Sequence, residues 1–378
     1  MKVYVLPADD WGCGSYRLIW PAQAAAEVDH SLDVTILPPG SRELGGKFDP
    51  DTGKVLDIDR YPQDADLFVL QRPTSYFQPQ VIELMRSRGV AVVVDMDDDL
   101  SHIHPSNPAF AHMAPKVVHP GHRNLPPVER HKTDGKVPNL HSHLNAAEAC
   151  RRATLVTVTT PQLASSYGAH GRVRILPNRV PRAYLDTPHE DSDLIGWGGS
   201  VHSHPHDLQQ VGPALARLVS QGARFETVGN PAGVGRALGL REDPPSPGDV
   251  AFHEWVPSIA RFGIGIAPLA STRFNDAKSW LKPLEYAAAG VPAVISPTAD
   301  YLAWARVAPD ACDVAYKPRQ WEGILKALRR DSARRMEMSE AGRVAAAANT
   351  IEDHAWAWAE AWSEAVRLQR MKVTAGAG

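Results

Sequence analysis

The chain is predicted to fold as two α/β domains, each built on a parallel sheet, facing each other across a cleft. Three observations predict it. Short runs rich in β-branched residues alternate with helical stretches along the chain, as parallel α/β layers require. A length of 378 residues exceeds what one ordinary core holds. The alternation also breaks at 177–193 (PNRVPRAYLDTPHEDSD), where prolines and charges without periodicity suit an interdomain linker, and then resumes.

Before the linker, the domain at 1–176 carries strand candidates Lys2–Leu6, Asp33–Leu37, Leu67–Leu70, Val90–Val94, Leu155–Val158 and Val173–Leu176. Helical patterns cover Tyr16–Val28, Gln80–Ser87, Leu144–Arg152 and Gln162–Tyr167. At 101–142 the pattern fails, and the Pro-rich sequence predicts a long loop or insertion. After the linker, the domain at 194–349 opens with strand Leu194–Trp197, a glycine turn and a helix to about Ser220. Strand Phe225–Val228, helix Gly233–Leu238 and strands Val250–Glu254, Gly263–Ala267 and Ala293–Ile295 follow. The tail at 350–378 reads as a helix. Thr350 and Asp353 can form a capping box, and Ile351, Ala355, Trp358, Trp362 and Val366 make an apolar stripe at i, i+4 spacing. Such a stripe is read as packing surface.

Composition narrows the class. Apolar residues at 43% and charged residues at 22% fit a soluble globular protein, and a net charge of -3 gives no polyanion-binding character to the whole chain. Cys13, Cys150 and Cys312 share no metal-type spacing, so a reduced, cytoplasmic setting is expected. MKVYVLPADD reads as a strand running into acids rather than a signal peptide. No apolar run approaches the roughly 20 residues of a membrane helix.

The segment Phe274–Ser296 (FNDAKSWLKPLEYAAAGVPAVIS) carries the strongest chemical signal. Pro283 places Glu285 in or near the first turn of a helix, where a carboxylate can accept both hydroxyls of a ribose. Lys278 and Lys282 lie close enough in sequence to balance a diphosphate, although loop lysines are commonly just solvated. The glycine turn in IGWGGSVHSHPHDL offers Gly196, Gly198, Gly199 and Ser200 ahead of a helix, a setting that favours phosphate. It contains no Arg or Lys, so cationic help must come from elsewhere; a plain strand-to-helix turn is the competing reading. Near the start, DWGCGSYR (Asp10–Arg17) puts Gly12 and Gly14 after the first strand and Arg17 one turn into the next helix. A GxG alone is weak and equally fits a tight turn with a surface arginine.

Asp95, Asp97, Asp98 and Asp99 follow the buried strand Val90–Val94. Carboxylates so close repel one another and seek a cation, a sugar or water. Three readings stand: the Asp-x-Asp of a haloacid-dehalogenase-like phosphatase with Mg²⁺, a Mn²⁺ site of a glycosyltransferase, or a metal-free set that binds acceptor hydroxyls or caps the next helix. The third is favoured because no further acidic motif completes a metal site. Eight of the sixteen histidines fall in this region (His102, His104, His112, His119, His122, His131, His141, His143), without zinc-type spacing or a partnering cysteine. Seven Lys or Arg against three acids from Leu100 to Arg152 make the segment basic, which suits an anionic acceptor.

Together these residues resemble GT-B fold glycosyltransferases, nearest the glycosyltransferase family 4 type of bacteria and phages. LVTVTTPQLASSYG (Leu155–Gly168) and VRILPNRVPRAYL (Val173–Leu185) look like that family's last N-domain strand and the entry to its linker. GIGIAPLASTRFNDAKSWLKPLEYAAAGVPAVISPTADY (Gly263–Tyr301) looks like its donor-site signature. The resemblance implies two Rossmann-like domains, with an acceptor-side N-domain, a donor-binding C-domain and a C-terminal helix crossing back onto the N-domain. It implies that Glu285 grips the donor ribose, that Gly198, Gly199 and Ser200 contact the diphosphate, and that Gly12 and Gly14 approach the donor. It further implies retention of configuration with no bound metal. The chain departs from the pattern at three places: Ala277 replaces an acid eight residues before Glu285, His202, His204 and His206 stand where an Arg and a Lys are common, and Asp95–Asp99 stand where a histidine often touches the sugar.

The expected activity is transfer of a sugar from a nucleotide diphosphate-sugar to an acceptor hydroxyl, without a cofactor. Lys278, Lys282 and Arg17 supply charge to the donor, while Asp97 or Asp98 meets acceptor or sugar hydroxyls, with Asp95, His102 and His104 on the acceptor side. A modified DNA base, a protein and a glycan all fit as acceptor. The alternatives are a metal-dependent phosphatase using Asp95 and Asp97, and a non-catalytic sugar-nucleotide-binding module.

Overall fold

The computed structural model describes residues 1–39, 46–49, 54–58, 61–113, 142–168, 170–202 and 206–376. The chain divides into two compact units, Met1–Pro177 with His354–Gly378, and Asn178–Asp353.

The first unit holds a six-stranded parallel sheet in the order β2-β1-β5-β6-β7-β8. Its strands are β1 (Lys2–Leu6), β2 (Asp33–Ile36), β5 (Leu67–Gln71), β6 (Ala91–Met96), β7 (Leu155–Val158) and β8 (Val173–Ile175). In the central strands β5, β6 and β7 every residue is buried, because helices cover both faces of a parallel sheet; hence their apolar runs rather than an alternation. The register pairs Val5 with Val69, Val69 with Val93 and Val93 with Leu155, so β-branched and leucine side chains stack in rows across the sheet. A separate antiparallel pair, β3 (Gly46–Phe48) and β4 (Val55–Ile58), was not expected from the sequence. The longer helices are α1 (Trp20–Val28), α2 (Gln78–Ser87), α3 (Ser142–Arg152) and α4 (Pro161–Tyr167), with short helical segments at Gly12–Gly14 and Phe110–Met113. α1 is entered through a π-helical turn at Ser15–Ile19, a local irregularity that often marks functional or strained sequence.

The second unit holds a five-stranded parallel sheet, β10-β9-β11-β12-β13. It comprises β9 (Ile195–Gly198), β10 (Phe225–Val228), β11 (Ile264–Ala267), β12 (Ala293–Ile295) and β13 (Cys312–Val314). Its helices are α5 (Gly212–Ser220), α6 (Val234–Leu238), α7 (Trp255–Ile259), α8 (Leu281–Ala288), α9 (Ala299–Val307), α10 (Pro318–Arg330) and α11 (Ser332–Ala347). The expected strand at Val250–Glu254 does not form. A 3₁₀ turn at Phe252–Glu254 leads into α7 instead, and Val256 and Ile259 are buried at the i, i+3 spacing of a helix. The sheet's last strand, β13, and helices α9 to α11 were not expected from the sequence, although α10 buries Trp321, Leu325 and Leu328 at the i, i+4, i+7 spacing of a helix face.

The long tail helix α12 spans Ile351–Gly376. Thr350 caps it: its hydroxyl donates to Asp353 Oδ2 at 2.6 Å and accepts from the Asp353 N–H at 3.2 Å. The whole predicted stripe is buried, and Trp358, Trp362 and Val366 join Val3, Val5, Leu67, Val69 and Val93 in one core of the first unit. Among the described residues no helix is long and apolar enough to cross a membrane. The cysteines are free. Of the expected loop at 101–142, residues 114–141 lie outside the described residues, and with them His119, His122, His131 and His141; His204 and Pro205 do too.

Candidate functional site

In the second unit, successive strands are added on opposite sides of β9, first β10 and then β11. The carboxyl ends of β9 and β11 therefore flank the topological switch point, where open α/β sheets leave a crevice. Gly198 ends β9 there. Its N–H donates to Tyr286 Oη at 3.1 Å, and Tyr286 in turn donates to Ile266 O on β11 at 3.3 Å, so α8 ties the two strand ends together. The Gly198 carbonyl accepts from Lys282 Nζ. Lys282 and Glu285 are three residues apart on α8 and share a face. Glu285 is only 5% exposed. Burial pushes the Lys282 ammonium below its ordinary value, Glu285 and Asp207 pull it back up, and Lys278 adds to the depression. A buried cation and a buried acid at a switch point are the combination expected of a working site. Lys282 Nζ also stands 5.4 Å from the Trp255 ring centre, and Lys278 Nζ stands 4.5 Å from that of Phe274.

The structure thus brings Gly198, Lys282 and Glu285 together, with Lys278 close enough to act on Lys282. Ser200 accepts from the His202 N–H at 3.3 Å, which shapes the turn. The glycines have packing reasons of their own. A Cβ on Gly196 would fall 1.9 Å from the Phe262 ring, and one on Gly198 would fall 2.7 Å from Trp255. Gly199 has φ +153°, where L side chains are rare, and a Cβ there would lie 2.8 Å from Trp197. Ala277, in the place of the missing acid, is buried at the end of a short helical turn, Arg273–Asp276.

Sequence reasoning missed a supporting layer. Asp207 is buried and accepts from Ala270 N and Asn275 Nδ2, both at 2.7 Å, which fixes the loop after β11. Asp300, opening α9, accepts from the Trp280 N–H at 2.6 Å beside the start of α8. Burial pushes its carboxyl up to about 6, from an ordinary 3.8, against the pull of that N–H. Folding therefore takes up a proton between these values. The stabilisation is fully present below about pH 4 and is lost as pH rises through about 6. Asp300→Asn keeps an acceptor without charge. It is expected to melt above the parent at about pH 7.5, with the gap closing near pH 4 in paired thermal melts. A lower melting temperature at the higher pH would contradict this.

In the first unit the switch point lies where β1 meets β2 on one side and β5 on the other. The loops after β1, β5 and β6 meet there through Gln71, which accepts from Ala8 N at 2.9 Å and donates to Cys13 O at 3.0 Å and Asp97 Oδ2 at 3.3 Å. Arg72 follows with φ +47°, a strained backbone for a residue with a side chain. Its guanidinium bonds Asp9 at 2.9 Å and lies 3.3 Å from Asp97 Oδ1. Asp97, first among its neighbours, holds Arg72 more firmly protonated than usual. Asp9, Gln71 and Arg72 were not singled out from sequence, although the polar step Gln-Arg directly after an apolar strand was a visible signal.

Three sequence expectations change here. Arg17 and Asp95 are 1% and 0% exposed and bound to each other, with Nε–Oδ1 at 3.0 Å and Nη2–Oδ2 at 2.7 Å. Leu176 O takes a further Arg17 N–H at 2.7 Å, and Thr157 Oγ1 donates to Asp95 at 2.6 Å. These two groups are committed to the core, so Arg17 is removed from the donor set and Asp95 from the acceptor set. Asp95 is equally closed to a phosphatase's nucleophilic role. Gly14 is likewise occupied: its N–H donates to Asp9 Oδ1 at 2.8 Å, and a Cβ would land 1.7 Å from Asp9 O.

Asp99 performs the capping role foreseen for the cluster, accepting from Ser101 N at 3.1 Å, Ser166 Oγ at 3.1 Å and His102 Nδ1 at 2.9 Å. Asp98 is half-buried, with its carbonyl taken by Tyr167 Oη at 3.1 Å. His102 stays exposed and His104 half-buried, and Gly12 is half-buried. Among the described residues no three His, Cys, Asp or Glu side chains converge to hold a metal ion.

No family model matches the chain, and no curated protein matches it. Solved structures do. The chain is similar to Anabaena Alr3699/HepE in complex with UDP, at 14% identity and TM-score 0.62, over 96% of this chain and 100% of that one. It is similar to WaaG, a glycosyltransferase involved in lipopolysaccharide biosynthesis, at 12% identity and TM-score 0.55, over 96% and 99%. The sucrose-phosphate synthase (tll1590) of Thermosynechococcus elongatus matches at 13% identity and TM-score 0.56, over 100% and 99%. The chain has the α/β fold of GT-B glycosyltransferases, matched over nearly its full length.

Proposed function

We propose that this chain is a nucleotide-sugar-dependent glycosyltransferase of the family 4 type found in bacteria and phages, acting in the cytoplasm. The observation that carries the reading is the meeting of the glycine turn, Lys282 and Glu285 at the switch point of the second unit. There Glu285 receives the donor ribose, while Gly198–Ser200, Lys282 and Lys278 face the diphosphate. A buried ammonium of this kind stabilises charge far better than a solvated one, because the site around it is preorganised. The UDP held by HepE, a protein of the same fold, supports a nucleotide donor here.

In this reading the first unit binds the acceptor. Asp97 and Asp98 accept from its hydroxyls, Arg72 and Gln71 hold Asp97 in place, and His102 and His104 line the approach, while Gly12 belongs to the donor's contacts. The acceptor oxygen attacks the anomeric carbon on the face the diphosphate leaves. The bond from carbon to phosphate oxygen breaks, the new glycosidic bond forms, and the acceptor's proton passes to the departing diphosphate. Configuration is retained, no protein base or metal is needed, and positioning does most of the work. A modified DNA base, a protein or a glycan supplies the hydroxyl.

The test is a thermal-shift screen of UDP-, GDP- and other nucleotide sugars, followed by release of nucleoside diphosphate from the donor that stabilises the chain. A donor present at a hundred times its Kd is expected to add about 2.7 kcal/mol of stability. Tight binding with no turnover over a broad acceptor panel would leave a sugar-nucleotide-binding module. Absence of binding to every nucleotide would overturn the reading.

A further inference from the structure

A second concave site lies in the first unit at the opposite, amino-terminal edge of its sheet, beside the residues that lead into β6, β7 and β8. It is a surface pocket of about 780 Å³ lined by Arg86, Arg151, Arg152, Arg172 and Lys372 together with Glu83. Two of the arginines are matched: Arg152 pairs with Glu83 and with Glu148, and Arg151 pairs with Glu148. The other two have neutral partners. Arg86 donates to Gln369 Oε1 at 3.0 Å and to the Arg152 carbonyl. Arg172 donates to the carbonyls of Thr154 at 3.2 Å, Arg151 at 3.3 Å and Ala153 at 3.5 Å. Among the described residues no carboxylate pairs with either guanidinium. Gln369, buried on α12, fixes Arg86 further by donating to its carbonyl at 2.6 Å.

Some of this has a plain structural use, since Arg86 and Arg172 bind carbonyls at or just past the carboxyl end of α3. A helix end offers only about half a negative charge, however, and two half-buried guanidinium groups exceed it. Burial and the nearby Arg172 hold Arg86 below its usual value, and Glu83 offsets only part of this, an arrangement that an anion would relieve further. We propose that this pocket binds a phosphate group, carried by a soluble phosphorylated compound or by a lipid headgroup, with Arg86 and Arg172 as its main partners. Arginine's planar fork matches phosphate oxygens, and the pocket volume falls in the range of small-molecule sites. The pocket shares no residue with the proposed donor and acceptor positions, and the proposal does not depend on them.

The experiment is a calorimetric titration of the full chain with inorganic pyrophosphate, beside co-sedimentation with vesicles of equal phosphatidylglycerol and phosphatidylcholine. Binding in either arm is expected to weaken at least tenfold in Arg172→Gln. It should weaken severalfold in Arg151→Ala/Lys372→Ala, which leaves the Arg86 and Arg172 contacts at the end of α3 intact. Lys282→Met removes a cation of the proposed donor site, so it should leave binding at this pocket unchanged. Pyrophosphate binding that Arg172→Gln weakens, without vesicle binding, assigns a soluble ligand, and vesicle binding sensitive to Arg172 assigns a headgroup. Absence of binding in both arms overturns the proposal, as does binding that Lys282→Met abolishes and Arg172→Gln does not.

Discussion

Asp95→Ala is expected to cost about 3–5 kcal/mol of stability, because it strands the Arg17 guanidinium in the core with no counter-charge. For a domain of this size that is a fall of roughly 10 °C in melting temperature, read by calorimetry. Much of the loss should return in the double variant Arg17→Met/Asp95→Leu, which removes both charges and fills the space. A melting temperature within a degree or so of the parent would show that the pair is not structural, and would reopen a ligand-facing role for both residues.

Glu285→Gln is expected to weaken nucleotide binding by about ten- to a hundredfold, because bonds to a charged acceptor are worth roughly 1.5–3 kcal/mol. The amide keeps the shape of the side chain on α8 but removes a carboxylate that holds the buried Lys282 charged. A fall in the melt of the free protein is therefore expected beside the binding loss. Titration calorimetry with the donor nucleotide reads this directly. An unchanged Kd removes Glu285 from the ribose.

Much of the fold was legible because parallel strands covered on both faces are continuous apolar runs, as at Val90–Val94 and Leu67–Leu70. The stripe from Ile351 to Val366 was legible because its apolar residues recur three or four positions apart and so share one helical face, with Trp356 left exposed off it. Val250–Glu254 misled because a five-residue run cannot separate a strand from the entry to a helix. The candidate site was legible only where its residues are close in sequence, as Lys278, Lys282 and Glu285 are. Arg17 and Asp95 are 78 positions apart, and only the strand order makes them partners. For Arg72 the sequence offers only the polar step Gln-Arg after an apolar strand, because its distinguishing feature, φ +47°, is a property of the backbone rather than of the residue type. Gly14 and Gly196 resembled ligand contacts, yet close packing against Asp9 and Phe262 accounts for both.

The central claim is that the strand ends of the second unit hold a nucleotide diphosphate. A crystal structure of the chain with its stabilising nucleotide bound tests it most directly. The expected result places both ribose hydroxyls within hydrogen-bond distance, about 3 Å, of the Glu285 carboxylate, with the diphosphate against Gly198–Ser200 and Lys282. A nucleotide seated elsewhere, with Glu285 and Lys282 still contacting only protein, would contradict it.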